Sequence, residues 1–201
     1  WAGMDSLAAL QDTSLAFSDQ EKAYLKEKKQ IRYCVDPSWM PYEGIVDGKH
    51  KGMSADYLAY FSDKLGIEFD LVRTRSWTES LQFAEARRCD ILPMISDRKE
   101  RRSYLNFTAA YVEPVLALAT KESAWFYSSF AEISGQRVGI VKGYSPGNQI
   151  RQNHPDIELV EVDNIKQGLE MVNQGKLLGL IDSLHNLSYH IQRYFYGELK
   201  I

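Results

Sequence analysis

The apolar positions of the chain switch repeatedly between the helix period and the strand period, and the switches put its elements in order. Ser18 with Glu21 is a capping box, predicting a short charged helix to about residue 28. Residues 31–35 read as a strand that stops at Asp36-Pro37, because proline has no N–H to give a ladder. A turn-rich loop with Gly44, Asp47-Gly48 and Gly52 follows. Over 54–65, Leu58, Phe61 and Leu65 share one helical face, closed by Gly66. A strand over 67–72 comes next. Ser76 and Glu79 form a second capping box, opening a helix to about residue 88 with Leu81 and Ala84 inward. A strand over 91–95 ends the first half.

That order then recurs. Residues 137–141 predict a strand, and Lys142 to Ser145 turn into a helix with Ser145 as N-cap and Pro146 at its first position. After a strand over 157–162, Asp163 caps a helix with Ile165, Leu169 and Val172 inward, closed by Gly175. A strand over 177–181 leads to Ser183, which starts a last helix through Leu184, Leu187 and Ile191. Strand–helix–strand–helix–strand is an α/β unit with a parallel sheet. Two such units joined by an extended connector, 111–130, make two lobes with a cleft between them. Residues 1–17 are weakly patterned and read as a tether or a frayed helix.

Composition narrows the function. With 44% apolar and 25% charged residues the chain is an ordinary globular sequence, and its 201 residues suffice for one large domain or two small lobes. A net charge of −3, with no basic stripe, argues against a nucleic-acid partner. No apolar run reaches the roughly 20 residues of a membrane span, and no signal peptide is visible, so the chain is cytosolic or an excised portion of something larger. The first residue, Trp1, favours excision. The two cysteines lack metal-type spacing, and the predicted strands offset Cys34 from Cys89, so no disulfide is expected. The four histidines lack ligand spacing, so neither metal nor cofactor is expected.

The candidate chemistry lies at strand exits. Arg98, Lys99, Arg101 and Arg102 follow the strand over 91–95, where an open α/β sheet would hold an anionic molecule. Arg101 is the sharpest choice, since a guanidinium matches a carboxylate bidentately, although Arg98 and Arg102 compete for the role. Trp39 and Tyr42, beside Asp36, would wall a pocket by stacking, and Trp77 at a helix start is similar. Lys142, Gly143, Tyr144 and Ser145 form a turn at a helix N-terminus that favours an anion. Asp182 and Ser183 end the last strand at the same crevice, where Asp182 would accept from an amine or either residue would cap the helix. Glu43, Glu113 and Asp182 are the only candidate general acids, none is convincingly paired, and no nucleophile has a neighbouring base.

From residue 18 to 201 the chain resembles a type II periplasmic solute-binding domain, the Venus flytrap module of amino-acid transporters. The versions it resembles most are those fused to membrane histidine kinases and diguanylate cyclases. The resemblance is carried by SDQEKAYLKEKKQIRYCVDPSWMPYE, KGMSADYLAYFSDKLGIEF, DILPMIS with ERRSYLNFTAAY, GQRVGIVKGYS and GKLLGLIDSLHNLSYHIQ, in that order. It implies a two-lobed α/β fold, each lobe a mainly parallel sheet flanked by helices, with lobe 1 over 31–112 and the hinge strand and lobe 2 over 113–201. Residues 1–30 become tether and short helix.

The carboxylate-binding arginine of that family falls on Arg101, and its backbone and hydroxyl donors fall on Ile95 and Ser96. Arg98 stands where the family carries a threonine. The lobe 2 anion turn falls on Lys142–Ser145, and the acidic position that holds an α-amino group falls on Ser183, with Asp182 one place early. Such domains cross back to lobe 1 after the last strand, whereas this sequence ends at Ile201, so lobe 1 is expected to be incomplete or completed by another chain, as in a homodimer.

The implied function is the periplasmic sensing domain of a bacterial membrane signalling protein, binding a small anionic metabolite or amino acid. Membrane contact would come only through flanking segments. The alternatives are a transporter's solute-binding protein, an enzyme resembling cyclohexadienyl dehydratases, and a ligand-free interaction module.

Overall fold

The computed structural model describes residues 17–201. Of the reading of 1–17 as a tether, all but Phe17 lies outside those residues. Helix α1 (Asp19–Lys28) opens on a complete capping box, in which the Glu21 N–H donates to Ser18 Oγ at 3.3 Å and the Ser18 N–H donates to Glu21 Oε2 at 2.8 Å.

Strand β1 (Gln30–Tyr33) pairs in parallel with β5 (Glu68–Leu71). Between them lie a small antiparallel sheet and a helix. The sheet is β2 (Ser38–Trp39), β3 (Glu43–Val46) and β4 (Lys49–Lys51), and the helix is α2 (Met53–Leu65). Gly52 joins them at φ 104°, where an added Cβ would meet the Pro41 and Tyr42 carbonyl oxygens at 2.8 Å. That close approach fixes the loop carrying Trp39 and Tyr42 against α2. Helix α3 (Trp77–Glu85) follows, with Ser76 Oγ accepting from the Glu79 N–H at 3.2 Å. The second half of that box is not made, because the Glu79 carboxylate takes the Arg75 N–H instead.

Two further expectations for this half, the strand over 91–95 and the separation of the cysteines, need correction. Residues 91–95 form a single bridge, Tyr33 to Ile91, and then a turn, because Pro93 has no N–H to continue a ladder. The face of α2 with Leu58, Phe61 and Leu65 is only partly covered: Leu58 is buried, but Phe61 is 44% exposed beside a groove of about 860 Å³. Most consequentially, Cys34 and Cys89 form a disulfide, with their Cα atoms 5.8 Å apart. The N–H groups of Asp90 and Ile91 both donate to the Arg32 carbonyl, at 2.8 and 3.2 Å. An extended strand cannot aim consecutive N–H groups at one oxygen, so the chain turns here and carries Cys89 over Cys34.

The second lobe is one five-stranded sheet in the order β10-β6-β9-β7-β8. Its strands are β6 (Leu116–Lys121), β7 (Arg137–Val141), β8 (Glu158–Val162), β9 (Gly179–Ser183) and β10 (Leu199–Lys200). Strand β7 runs parallel to both β8 and β9, while β6 runs antiparallel to both of its neighbours, β9 and β10. Helices α4 (Pro146–Asn153), α5 (Ile165–Asn173) and α6 (Leu184–Tyr194) cover both faces. Leu169, Val172, Leu180 and Leu187 pack one side, and Ile140, Ile150 and Ile181 the other. Every residue of β9 is therefore buried. The cap of α5 is Asn164, whose Oδ1 accepts the Gln167 N–H at 3.0 Å, rather than Asp163. Ser145 does not cap α4; its backbone is already helical and its hydroxyl is used elsewhere.

Candidate functional site

The carboxyl ends of β1, β7 and β9 meet across the two lobes and enclose a cavity of about 220 Å³. A 3₁₀ turn, Lys99–Arg101, decides which basic side chains enter it. With three residues per turn, positions i and i+3 share a side. Arg98 and Arg101 accordingly line the cavity, whereas Lys99 and Arg102 are exposed and Arg102 pairs with Asp97 at 2.6 Å.

Of the residues singled out in the sequence, Asp36, Trp39, Trp77, Ser96, Arg98 and Arg101 line the cavity from the first lobe. Tyr144, Ser145, Asp182 and Ser183 line it from the second. Besides Lys99 and Arg102, neither Glu43 nor Glu113 lines it, and Tyr42, Ile95, Lys142 and Gly143 do not either. Tyr42 stacks behind Trp39, ring centroids 4.5 Å apart, and its hydroxyl bonds His185 Nδ1 at 2.9 Å. Ile95 packs into the core around the disulfide. The Lys142 side chain is exposed, and its N–H donates to the Val162 carbonyl at 2.9 Å. Gly143, at φ 80°, contributes a carbonyl that accepts from the first lobe. The turn after β7 therefore presents an acceptor where backbone donors were expected. The apolar lining, including Met94, Pro114 and Ile181, gave no chemical signal in the sequence.

Side chains bridge the lobes directly. Tyr144 Oη donates to Asp36 Oδ2 at 2.6 Å, and Trp39 Nε1 donates to Asp182 Oδ1 at 3.2 Å. Arg98 Nε donates to Ser145 Oγ at 2.8 Å, and Arg101 Nη2 to the Gly143 carbonyl at 3.0 Å. Asp36 is held from behind: its N–H donates to buried Glu43 at 2.8 Å, and its Oδ1 accepts the Ser38 N–H at 2.8 Å.

The site is electrostatically tense. Burial raises Asp36 to about 6, with the Tyr144 hydroxyl and Ser38 N–H pulling the other way. Burial likewise raises Asp182 to about 6, and drives Glu43 well above the usual carboxylate range. Burial pushes the Arg101 guanidinium down, and Arg98 adds to that effect. Asp182 Oδ2, with the side-chain amide of Asn186 and both ring nitrogens of His190, is buried without a hydrogen-bond partner within bonding distance among the described residues, although the Asn186 side chain is near enough to lower Asp182. Such an oxygen calls for a donor. No cluster of His, Cys, Asp and Glu suited to a metal occurs among the described residues, nor any helix long and apolar enough to cross a membrane.

Residues 31–183 match the family described as bacterial extracellular solute-binding proteins, family 3. The virulence sensor protein BvgS of Bordetella pertussis is 21% identical over 200 residues, 99% of this chain but 16% of that protein. The sensor protein EvgS of Escherichia coli K12 is 22% identical over the same share of each chain. The chain thus spans about a sixth of the length of these sensors. The ABC transporter arginine-binding protein 1 of Escherichia coli K12 is 22% identical over 156 residues, 76% of this chain and 62% of that protein. Among solved structures, the periplasmic VFT2 domain of Bordetella pertussis BvgS superimposes with a TM-score of 0.83 at 21% identity, covering 92% of this chain and 80% of that one. An ancestral arginine-binding protein bound to arginine gives 0.76 at 15% identity, covering 86% and 77%. These likenesses establish a two-lobed Venus flytrap fold.

Proposed function

The chain belongs to the bacterial extracellular solute-binding proteins, family 3, and on that premise we propose that it is the periplasmic sensing domain of a bacterial membrane signalling protein. Its ligand is a small molecule with an anionic group and a hydrogen-bond-donating amine, an amino acid being the simplest case. The carrying observation is the shared lining of one cavity by Arg98, Arg101 and Asp182, whose Oδ2 lacks a hydrogen-bond partner among the described residues. A cavity of about 220 Å³ lies just below the roughly 300–1,000 Å³ of ordinary small-molecule pockets, which suits a small metabolite. The disulfide fits an oxidising compartment. Contacts made to both lobes exist only in the closed form, so a bound ligand shifts the open–closed equilibrium that an attached output would read. A thermal-shift panel of amino acids and small carboxylates tests this. A ligand at about 100 times its Kd stabilises by roughly 2.7 kcal/mol, and silence across the panel overturns the reading.

One observation favours a second reading, a lyase on the same fold. Asp36 and Asp182 both titrate near 6 inside the cleft, in the range a general acid needs. Mass spectrometry of the panel after incubation separates the two, since a sensor returns every compound unchanged.

A further inference from the structure

The two arginines of the cleft are engaged differently. Arg101 is buried, and each of its terminal nitrogens is engaged once by backbone: Nη1 donates to the Ser96 carbonyl at 2.9 Å and Nη2 to the Gly143 carbonyl at 3.0 Å. Those carbonyls belong to different lobes, so the guanidinium staples one to the other. Gly143 holds its carbonyl there at φ 80°, a conformation natural to glycine, and Trp77 Nε1 donates to the same oxygen at 3.3 Å. The Arg101 guanidinium also sits 5.9 Å from the centre of the Trp77 ring. A carboxylate seeking the terminal nitrogens of Arg101 would compete with the staple, since each already donates to a carbonyl.

Arg98 lines the same cavity but is only half-buried. Its Nε is fixed by Ser145 Oγ at 2.8 Å. Among the described residues, no hydrogen bond or ion pair engages its Nη1 or Nη2. One arginine is thus oriented with its end-on pair free, and the other is consumed by the architecture. We propose that Arg98 receives the anionic group of the ligand and that Arg101 is a positioning residue, a brace between the lobes. The first part rests on the ligand-binding function proposed above; the second does not.

Dicarbonyl reagents of the phenylglyoxal class condense with the Nη pair of a guanidinium, so engaged nitrogens slow the reaction. Peptide mapping of the treated wild-type chain should show Arg98 modified about tenfold faster than Arg101, the factor expected from two engaged hydrogen bonds. The twenty amino acids, acetate and succinate then serve as protecting probes. Any that raises the melting temperature should also shield Arg98. Without any probe, Arg101→Gln should enlarge the radius of gyration in solution scattering, and Arg98→Gln, which removes only the half-buried bond to Ser145 Oγ, should enlarge it less. Arg101→Lys should enlarge it too, because an ammonium cannot span both carbonyls in one plane. Equal modification of the two arginines, or an unchanged radius in both Arg101 variants, overturns the division of roles. A thermal shift without shielding of Arg98 overturns the assignment of Arg98 alone. No thermal shift with any compound overturns the proposed function and the Arg98 assignment with it, while the scattering still decides the brace.

Discussion

Replacing Tyr144 with Phe removes one hydroxyl and almost no volume, and it cuts the shortest hydrogen bond between the lobes, 2.6 Å from Tyr144 Oη to Asp36 Oδ2. Asp36 is 4% exposed, so only water inside the cavity it lines could replace the lost donor in the closed form. A hydrogen bond to a charged acceptor contributes about 1.5–3 kcal/mol, which lowers the closed-to-open ratio by about one to two powers of ten. Lobe closure can be followed by solution scattering or by energy transfer between labels placed one on each lobe. Because Asp36 titrates near 6, the loss should shrink at about pH 5, where the acceptor is neutral and the bond is worth about 0.5–1.5 kcal/mol. A double-mutant cycle with Asp36→Asn isolates the pair. Coupling indistinguishable from zero near neutral pH, or Tyr144→Phe closing as fully as wild type, would refute the idea that this contact holds the lobes together.

Two further outcomes follow from the buried chemistry. Cys34→Ser with Cys89→Ser frees a loop with a sequence separation of 55, and chain-entropy bookkeeping puts the loss at about 4 kcal/mol. Thermal unfolding with and without reductant measures it, and a variant as stable as the oxidised wild type would contradict the pairing. The second outcome concerns pH. Asp36 and Asp182, raised to about 6 by burial, hold protons in the folded state that the unfolded chain releases, so their contribution to stability is lost as pH rises toward 6. His50 and His190, lowered to about 4 by burial, do the reverse and cost stability as pH falls from 6.5 toward 4. The two pairs oppose each other in one window. Asp36→Asn with Asp182→Asn should therefore make the melting temperature fall more steeply on acidification than in wild type, and an unchanged slope would show that the carboxylates are ionised throughout.

Element order and most helix ends were legible because they are local. The Ser18 box, Gly66 and Gly175 act through neighbouring backbone, which the sequence displays directly. Asn164 displaced Asp163 as a cap because both are good acceptors, and only backbone geometry decides between adjacent positions. The disulfide and the turn after Ile91 depend on how residues 88–95 fold back on β1, which periodicity does not encode. The cleft was legible as a place but not as a network. Arg98, Arg101, Asp36 and Asp182 could be nominated one by one from strand exits. That Tyr144 reaches Asp36 across a separation of 108 residues is set by the docking of the lobes. Glu43, weighed in the sequence only as a general acid, proves to be the buried support of the Asp36 backbone.

The central claim, that a small molecule is read between the lobes, is tested most directly by calorimetric titration of the wild-type chain beside Arg98→Gln and Asp182→Asn. We expect at least one amino acid or small carboxylate to bind the wild type, with affinity falling about tenfold or more in each variant as a buried partner is removed. Binding that survives both substitutions unchanged would place the ligand elsewhere and contradict the account.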